Sequence, residues 1–129
     1  MPNPNNSRAD MDETSPTICY FNKTDVLRHF GGRENLFGQM VEIFFAQLPI
    51  LQSKLEESLV TKDLKALRRH AHTLKGSIAH FTRQQPYVLA QLLETMAQPS
   101  MDWDLAAARK TELAILLEKL VQEIKAQYP

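Results

Sequence analysis

The chain has 129 residues, 43% hydrophobic and 23% charged, enough to bury the core of one domain and too few for two. Fifteen Lys and Arg balance fifteen Asp and Glu, and this zero formal charge argues against a strongly basic nucleic-acid-binding domain and against an acidic solvating tail. A single cysteine, Cys19, closes no internal disulfide, and the most apolar stretch, Val41 to Leu51, is broken by Glu42, Gln47 and Pro49 before it could span a bilayer.

Residues 1–17 hold three of the seven prolines, three asparagines and almost no large apolar side chain, so they read as a disordered lead-in to a domain covering 18–129. This start also lacks the apolar core of a signal peptide, and the expected location is cytoplasmic. Structure is expected from about Ile18-Cys19-Tyr20-Phe21. Asn22 or Thr24 can cap a short helix through Val26, Leu27 and Phe30, which Gly31-Gly32 ends by taking positive φ.

From about Arg33 the apolar residues Phe37, Met40, Val41, Phe44, Leu48, Leu51, Leu55 and Leu59 recur at steps of three and four. Pro49 lies inside that run and should bend or divide the helix near Phe45–Ala46; a kink is expected, because the stripe continues in phase on both sides. A second periodic run extends from Asp63 to about Phe81. Pro86 suits the first turn of a third long helix, with Leu89, Leu92, Leu93 and Met96 facing inward. Gln98-Pro99-Ser100 breaks it, and Asp102 or Asp104 can cap a last helix that buries Leu105, Leu113, Leu116, Leu117, Leu120 and Ile124. No segment alternates like a strand and no repeat points to a solenoid. The expected fold is all-α: an antiparallel up-down-up-down four-helix bundle with a short additional N-terminal helix, monomeric.

The segment Asp63 to Phe81 is the one that carries chemistry. On a wheel of about 100° per residue, Leu64, Leu67, Ala71, Leu74, Ile78 and Phe81 fill a sector about 100° wide, while His72 points about 130° away from its middle. Gly76, one turn beyond His72, is almost opposite the core. A glycine inside a helix costs about 1 kcal/mol against alanine, and here it clears space beside the imidazole. Lys62, Lys65, Arg68, Arg69, Lys75 and Arg83 against Asp63 give this segment a local charge of +5. Lys75 is three residues from His72, a helix neighbour able to attract an anion placed on the ring. An exposed neutral imidazole is a competent nucleophile, so the constellation reads as a phosphoryl acceptor.

His72-Thr73-Leu74-Lys75-Gly76-Ser77, preceded by Leu67-Arg68-Arg69-His70-Ala71, resembles the signature of histidine-containing phosphotransfer (HPt) domains of phosphorelays. Phe30-Gly31-Gly32, the run Phe44 to Pro49 and the run Leu89 to Glu94 resemble further parts of that family, so the likeness covers most of the chain. The resemblance implies that His72 accepts a phosphoryl group from a phospho-aspartate of one receiver domain, such as that of a hybrid sensor kinase. It then passes the group to an aspartate of a response-regulator receiver. Lys75 would assist electrostatically and Gly76 would give access. The chain would need no cofactor of its own, because the magnesium ion belongs to the receiver. It would be a carrier, not an enzyme, and the absence of a glycine-rich phosphate loop argues against autokinase activity. The antiparallel geometry adds that His72 and Glu94 are equidistant from a link near Arg83, so Glu94 is expected level with the ring, orienting it through Nδ1–H.

Two positions depart from the family pattern: Thr82 where a glycine commonly ends the active helix, and Pro86 where a Leu-like residue is common. They motivate the alternative of an HPt-like module that binds a receiver or kinase without carrying phosphate. His70 reads as a packing histidine at the core boundary, His80 as a surface histidine and His29 as a partner of a helix C-terminus. Phe45, Val26 and Leu27 are candidates for a docking surface, with packing the commoner role. Nucleic acid and membrane are not expected partners.

Overall fold

The structure, a computed structural model, describes residues 19–128; the expectation for residues 1–17 lies outside them. Five helices follow in order: α1 (Lys23–His29), α2 (Glu34–Thr61), α3 (Leu64–Ala79), α4 (Gln85–Met96) and α5 (Trp103–Gln127), with no strand among the described residues. Helices α2 to α5 form the antiparallel bundle, and α1 is the short additional helix. On α3 and α4 the paired residues run in opposite order, Arg68 with Ala97 and His72 with Glu94. Between α2 and α5 the Lys110 ammonium lies 3.2 Å from Glu56, while Lys125 lies over the ring of Phe45, again in opposite order.

The helix starts follow side-chain capping. Asn22, not Thr24, caps α1, its Oδ1 accepting from the Asp25 N–H at 3.0 Å. Asp63 caps α3 through the Ala66 N–H at 3.0 Å. Asp102, not Asp104, caps α5, accepting from the N–H groups of Asp104 and Leu105. After α1, Gly31 and Gly32 take φ of 64° and 75°, and the Gly32 N–H returns to the Leu27 carbonyl at 3.0 Å.

Helix α2 runs unbroken through Pro49, so the chain is not divided near Phe45–Ala46, as the stripe in phase on both sides implies. Pro49 is exposed and has no N–H to offer the Phe45 carbonyl, so α2 forgoes one hydrogen bond there without breaking. The helix ends at Lys62, which adopts a left-handed conformation (φ 55°, ψ 44°) without being a glycine. Asp63 N–H then bonds the Ser58 carbonyl at 3.0 Å and Asp63 caps the next helix, so α2 and α3 are joined by two residues.

Helix α3 ends two residues before the periodicity suggests. It ends at Ala79, but Phe81 remains buried because the backbone continues as a turn, Thr82 N–H bonding the Ile78 carbonyl. The departure at Thr82 is absorbed without positive φ: its buried hydroxyl accepts from the Gln84 N–H at 3.1 Å and turns the chain toward α4. Pro86 is buried in the first turn of α4, doing with its ring what an aliphatic side chain would.

Two expected core positions face out. Leu92 is 38% exposed because α4 buries Pro86, Ala90 and Leu93, a stripe one residue out of phase with it. Leu105 is 42% exposed because Ala106 takes the inward place in the first turns of α5. Leu116 is only half-buried. The core itself is the expected set, closed at one end by an aromatic cluster in which Phe81 packs on Phe44 with ring centroids 4.7 Å apart and Phe21 stacks on Phe37. Leu67, Leu74 and Ile78 are fully buried, each contributing about 2 kcal/mol. Those three side chains fix the rotation of α3 and so force His72 outward.

The chain entering α1 is strapped to the end of α5. The Glu123 carboxylate accepts from the backbone N–H groups of Tyr20 and Phe21 at 2.7 and 2.9 Å. Gln127 accepts from the Lys23 N–H and donates to the Phe21 carbonyl. Neither role is visible in the sequence.

Candidate functional site

On α3 the inward stripe Leu67, Ala71, Leu74 and Ile78 leaves His72 with a side chain 66% exposed. Its Nδ1 lies 2.9 Å from Glu94 Oε2 of α4. A carboxylate only accepts, so Nδ1 carries the proton and donates it, leaving the Nε2 lone pair free. The other Glu94 oxygen, Oε1, receives the Lys75 ammonium at 2.7 Å. Sequence spacing therefore brings together His72, Lys75 and Glu94, with one carboxylate between imidazole and ammonium. Lys75 does not stand free beside the ring; its ammonium is engaged by Glu94, and its side chain is only 20% exposed. The hydrogen bond from Lys75, foremost, and then that from His72 hold the Glu94 carboxyl below its ordinary value of 4.5, against the opposing effect of its partial burial.

Gly76 is exposed, and a Cβ built on it would meet nothing within 4 Å. The space it leaves opens to solvent; it is not filled by the His72 ring. Gly38 shows the contrast. It is buried in α2, where a Cβ would collide with the Tyr128 hydroxyl, so that glycine serves packing.

The positive segment is partly spoken for. Arg68 donates to the Ala97 carbonyl at the C-terminal end of α4. Arg83 lies 5.1 Å over the Tyr87 ring and also donates to its hydroxyl. Lys65 and Arg69 remain exposed on the His72 side of α3, with no ion pair among the described residues. Sequence reasoning missed the Arg68 contact, since its acceptor is a backbone carbonyl that no residue type announces.

The other histidines lie apart from this group. His70 is half-buried, and burial first, then the charges of Arg69 and Lys54, push it below its ordinary 6.5 despite Glu57 and Asp63. His80 follows the last residue of α3 and is exposed, and His29 ends α1. Phe45 faces α5, under Lys125, and Val26 is buried, so neither belongs to the surface around His72.

A cleft of about 680 Å³ lies between Cys19–Val26 and Ala79–Gln84 and does not include His72. A side chain as exposed as that of His72 suits contact with a macromolecule better than with a small molecule held in a pocket. Among the described residues no group of three or more His, Cys, Asp or Glu could hold a metal ion, and no helix is long and apolar enough to cross a membrane.

His72 is thus an exposed imidazole on one helix of an antiparallel bundle, paired through Nδ1 with Glu94. The model of the Hpt domain family matches residues 39–127, and the chain belongs to that family. Hpt domains are phosphotransfer carriers of two-component signalling, not classical enzymes, and they work with receiver domains. No curated protein and no solved structure matches the chain significantly.

Proposed function

We propose that this chain is a phosphorelay intermediate in which His72 Nε2 carries the phosphoryl group between two receiver domains. The Nε2 lone pair attacks the phosphorus of a receiver's aspartyl phosphate. The phosphorus–oxygen bond to the aspartate breaks, and that oxygen leaves with the electron pair as a carboxylate. No proton has to move: the ring keeps Nδ1–H and becomes a positively charged phosphoimidazole, whose charge faces the Glu94 carboxylate. In the onward step the aspartate of a response regulator attacks the same phosphorus, and the imidazole leaves in its original tautomer. Magnesium enters with the receiver, and the carrier contributes the nucleophile, its orientation and an open approach past Gly76.

The single observation that carries this reading is the His72 Nδ1 to Glu94 Oε2 contact on a ring that is otherwise open to solvent. The binding-only alternative rests on the link at Thr82 to Pro86, where the Thr82 hydroxyl accepts from the Gln84 N–H, and the labelling experiment separates the two readings. Incubation with a phosphorylated receiver domain should place acid-labile phosphate on the wild type and none on His72→Gln. Equal labelling of the mutant would overturn the assignment.

A further inference from the structure

Helix α4 differs from its neighbours in what it shows to solvent. Its twelve residues include one charged side chain, Glu94, and that carboxylate turns toward α3, to His72 and Lys75. The face opposite the buried stripe Pro86, Ala90 and Leu93 holds Gln85, Val88, Leu92 and Thr95, all exposed. Val88 is 47% and Leu92 38% exposed. Exposed apolar residues occur on α2 and α5 as well, but there Ile43 stands beside exposed Glu42, and Ile115 stands near exposed Glu112 and Glu118. A helix with an apolar stripe on two opposite faces calls for cover on both, and the bundle covers one.

The spacing of the outer stripe identifies the cover. Its steps of three, four and three read the same in either direction, so an antiparallel copy of α4 centred on position 90 matches the stripe to itself. Val88 then meets Leu92 of the second copy, and Gln85 meets its Thr95. The Thr95 hydroxyl donates to the Gln91 carbonyl at 2.9 Å, which leaves its oxygen free to accept from a Gln85 amide. An uncharged face brings no like charges together across a two-fold axis, whereas a charged partner would bury ions that this face of α4 cannot pair. From this we propose that the outer face of α4 is a self-association surface, on which a second copy of this chain packs α4 antiparallel against α4. His72 and Gly76 belong to α3 and lie outside the stripe. One helix pair about 18 Å long buries less than a standard interface of about 1,600 Å², so the association is weak, with a dissociation constant on the order of 0.1 mM.

Sedimentation equilibrium of the full chain, without phosphate, reads this directly. Between about 5 µM and about 1 mM the wild-type mass should climb from 14.8 kDa toward twice that value. Leu92→Glu and Val88→Lys should each weaken association about tenfold or more, by setting an unpaired charge against an apolar residue. Both positions are solvent-exposed, so both variants should fold, and circular dichroism melts check this. Because the register sets position 88 against position 92, a mixture of the two variants should recover association that neither shows alone. A wild type that stays at 14.8 kDa throughout, the monomer expected from the bundle pattern, would overturn the proposal. So would a Leu92→Glu variant that associates like the wild type, or a mixture that recovers nothing. A monomeric wild type whose labelling by a phosphorylated receiver drops on Leu92→Glu would also overturn it, and would give the face to the receiver.

Discussion

Gly76 lowers the intrinsic stability of α3 by about 1 kcal/mol relative to alanine, and the fold gains nothing visible in return, since no atom lies within 4 Å of its missing Cβ. Gly76→Ala should therefore raise the unfolding free energy by about 0.5–1 kcal/mol in urea titration. Gly76→Gln, which refills the approach to His72, should slow phosphoryl transfer about tenfold, or about 1.4 kcal/mol at the transition state. Undiminished transfer by the glutamine variant would remove the access role. A second residue-scale prediction concerns His70. Its folded value lies below the ordinary 6.5, so the unfolded chain takes up the proton first as pH falls. The stability His70 leaves intact above that value is lost as pH drops through it toward the lower folded value. His70→Gln should flatten the loss of stability between pH 7 and the folded value, as measured by thermal melts across that range. Glu94 adds a loss at lower pH, below 4.5, since its folded carboxyl is held ionised. These residues were legible because helical spacing separates His72 and Gly76 from the core stripe, and because equal distance from a link near Arg83 set Glu94 level with His72. What spacing could not supply was the hydrogen-bond assignment, in particular that Lys75 turns to Glu94.

Helix boundaries tell a similar story at the scale of elements. The caps at Asn22 and Asp102 and the Gly31-Gly32 stop were readable, whereas the Asp63 cap and the left-handed Lys62 before it were not. Lys62 is the clearest case: nothing in its type announces a left-handed residue, yet it closes α2 so that Asp63 can open α3. Lys62→Gly should stabilise the chain by about 0.5–1 kcal/mol by relieving the Cβ clash. Asp63→Ala should destabilise it by about 1 kcal/mol through loss of the α3 cap. Chemical denaturation of the pair checks both signs. Leu92 and Leu105 show where periodicity misleads. Each is a leucine within reach of a stripe, but a neighbouring small residue or proline occupies the inward position. Pro49 does not divide α2, because the apolar stripe stays in phase on both sides of it.

At the scale of the molecule, the zero net charge conceals a division of labour. Lys75, Arg68 and Lys110 are each matched locally, and the exposed positive residues beside His72 are Lys65 and Arg69. The long-range strap from Glu123 to Tyr20 and Phe21 joins the two ends of the described chain and was not legible, because its acceptor and donors are about a hundred residues apart. Glu123→Ala strands two backbone N–H groups and should lower stability by about 2 kcal/mol. Phosphorylation of the folded protein should be unaffected, because the strap does not touch the site. The central claim is that one ring nitrogen of one histidine carries the phosphoryl group. Phosphorus NMR of the chain after reaction with a phosphorylated receiver domain tests it most directly. A single phosphoramidate resonance, coupled to the His72 ring as Nε2-substituted and absent from His72→Gln, is the predicted result; substitution at Nδ1, or on any other residue, would contradict it.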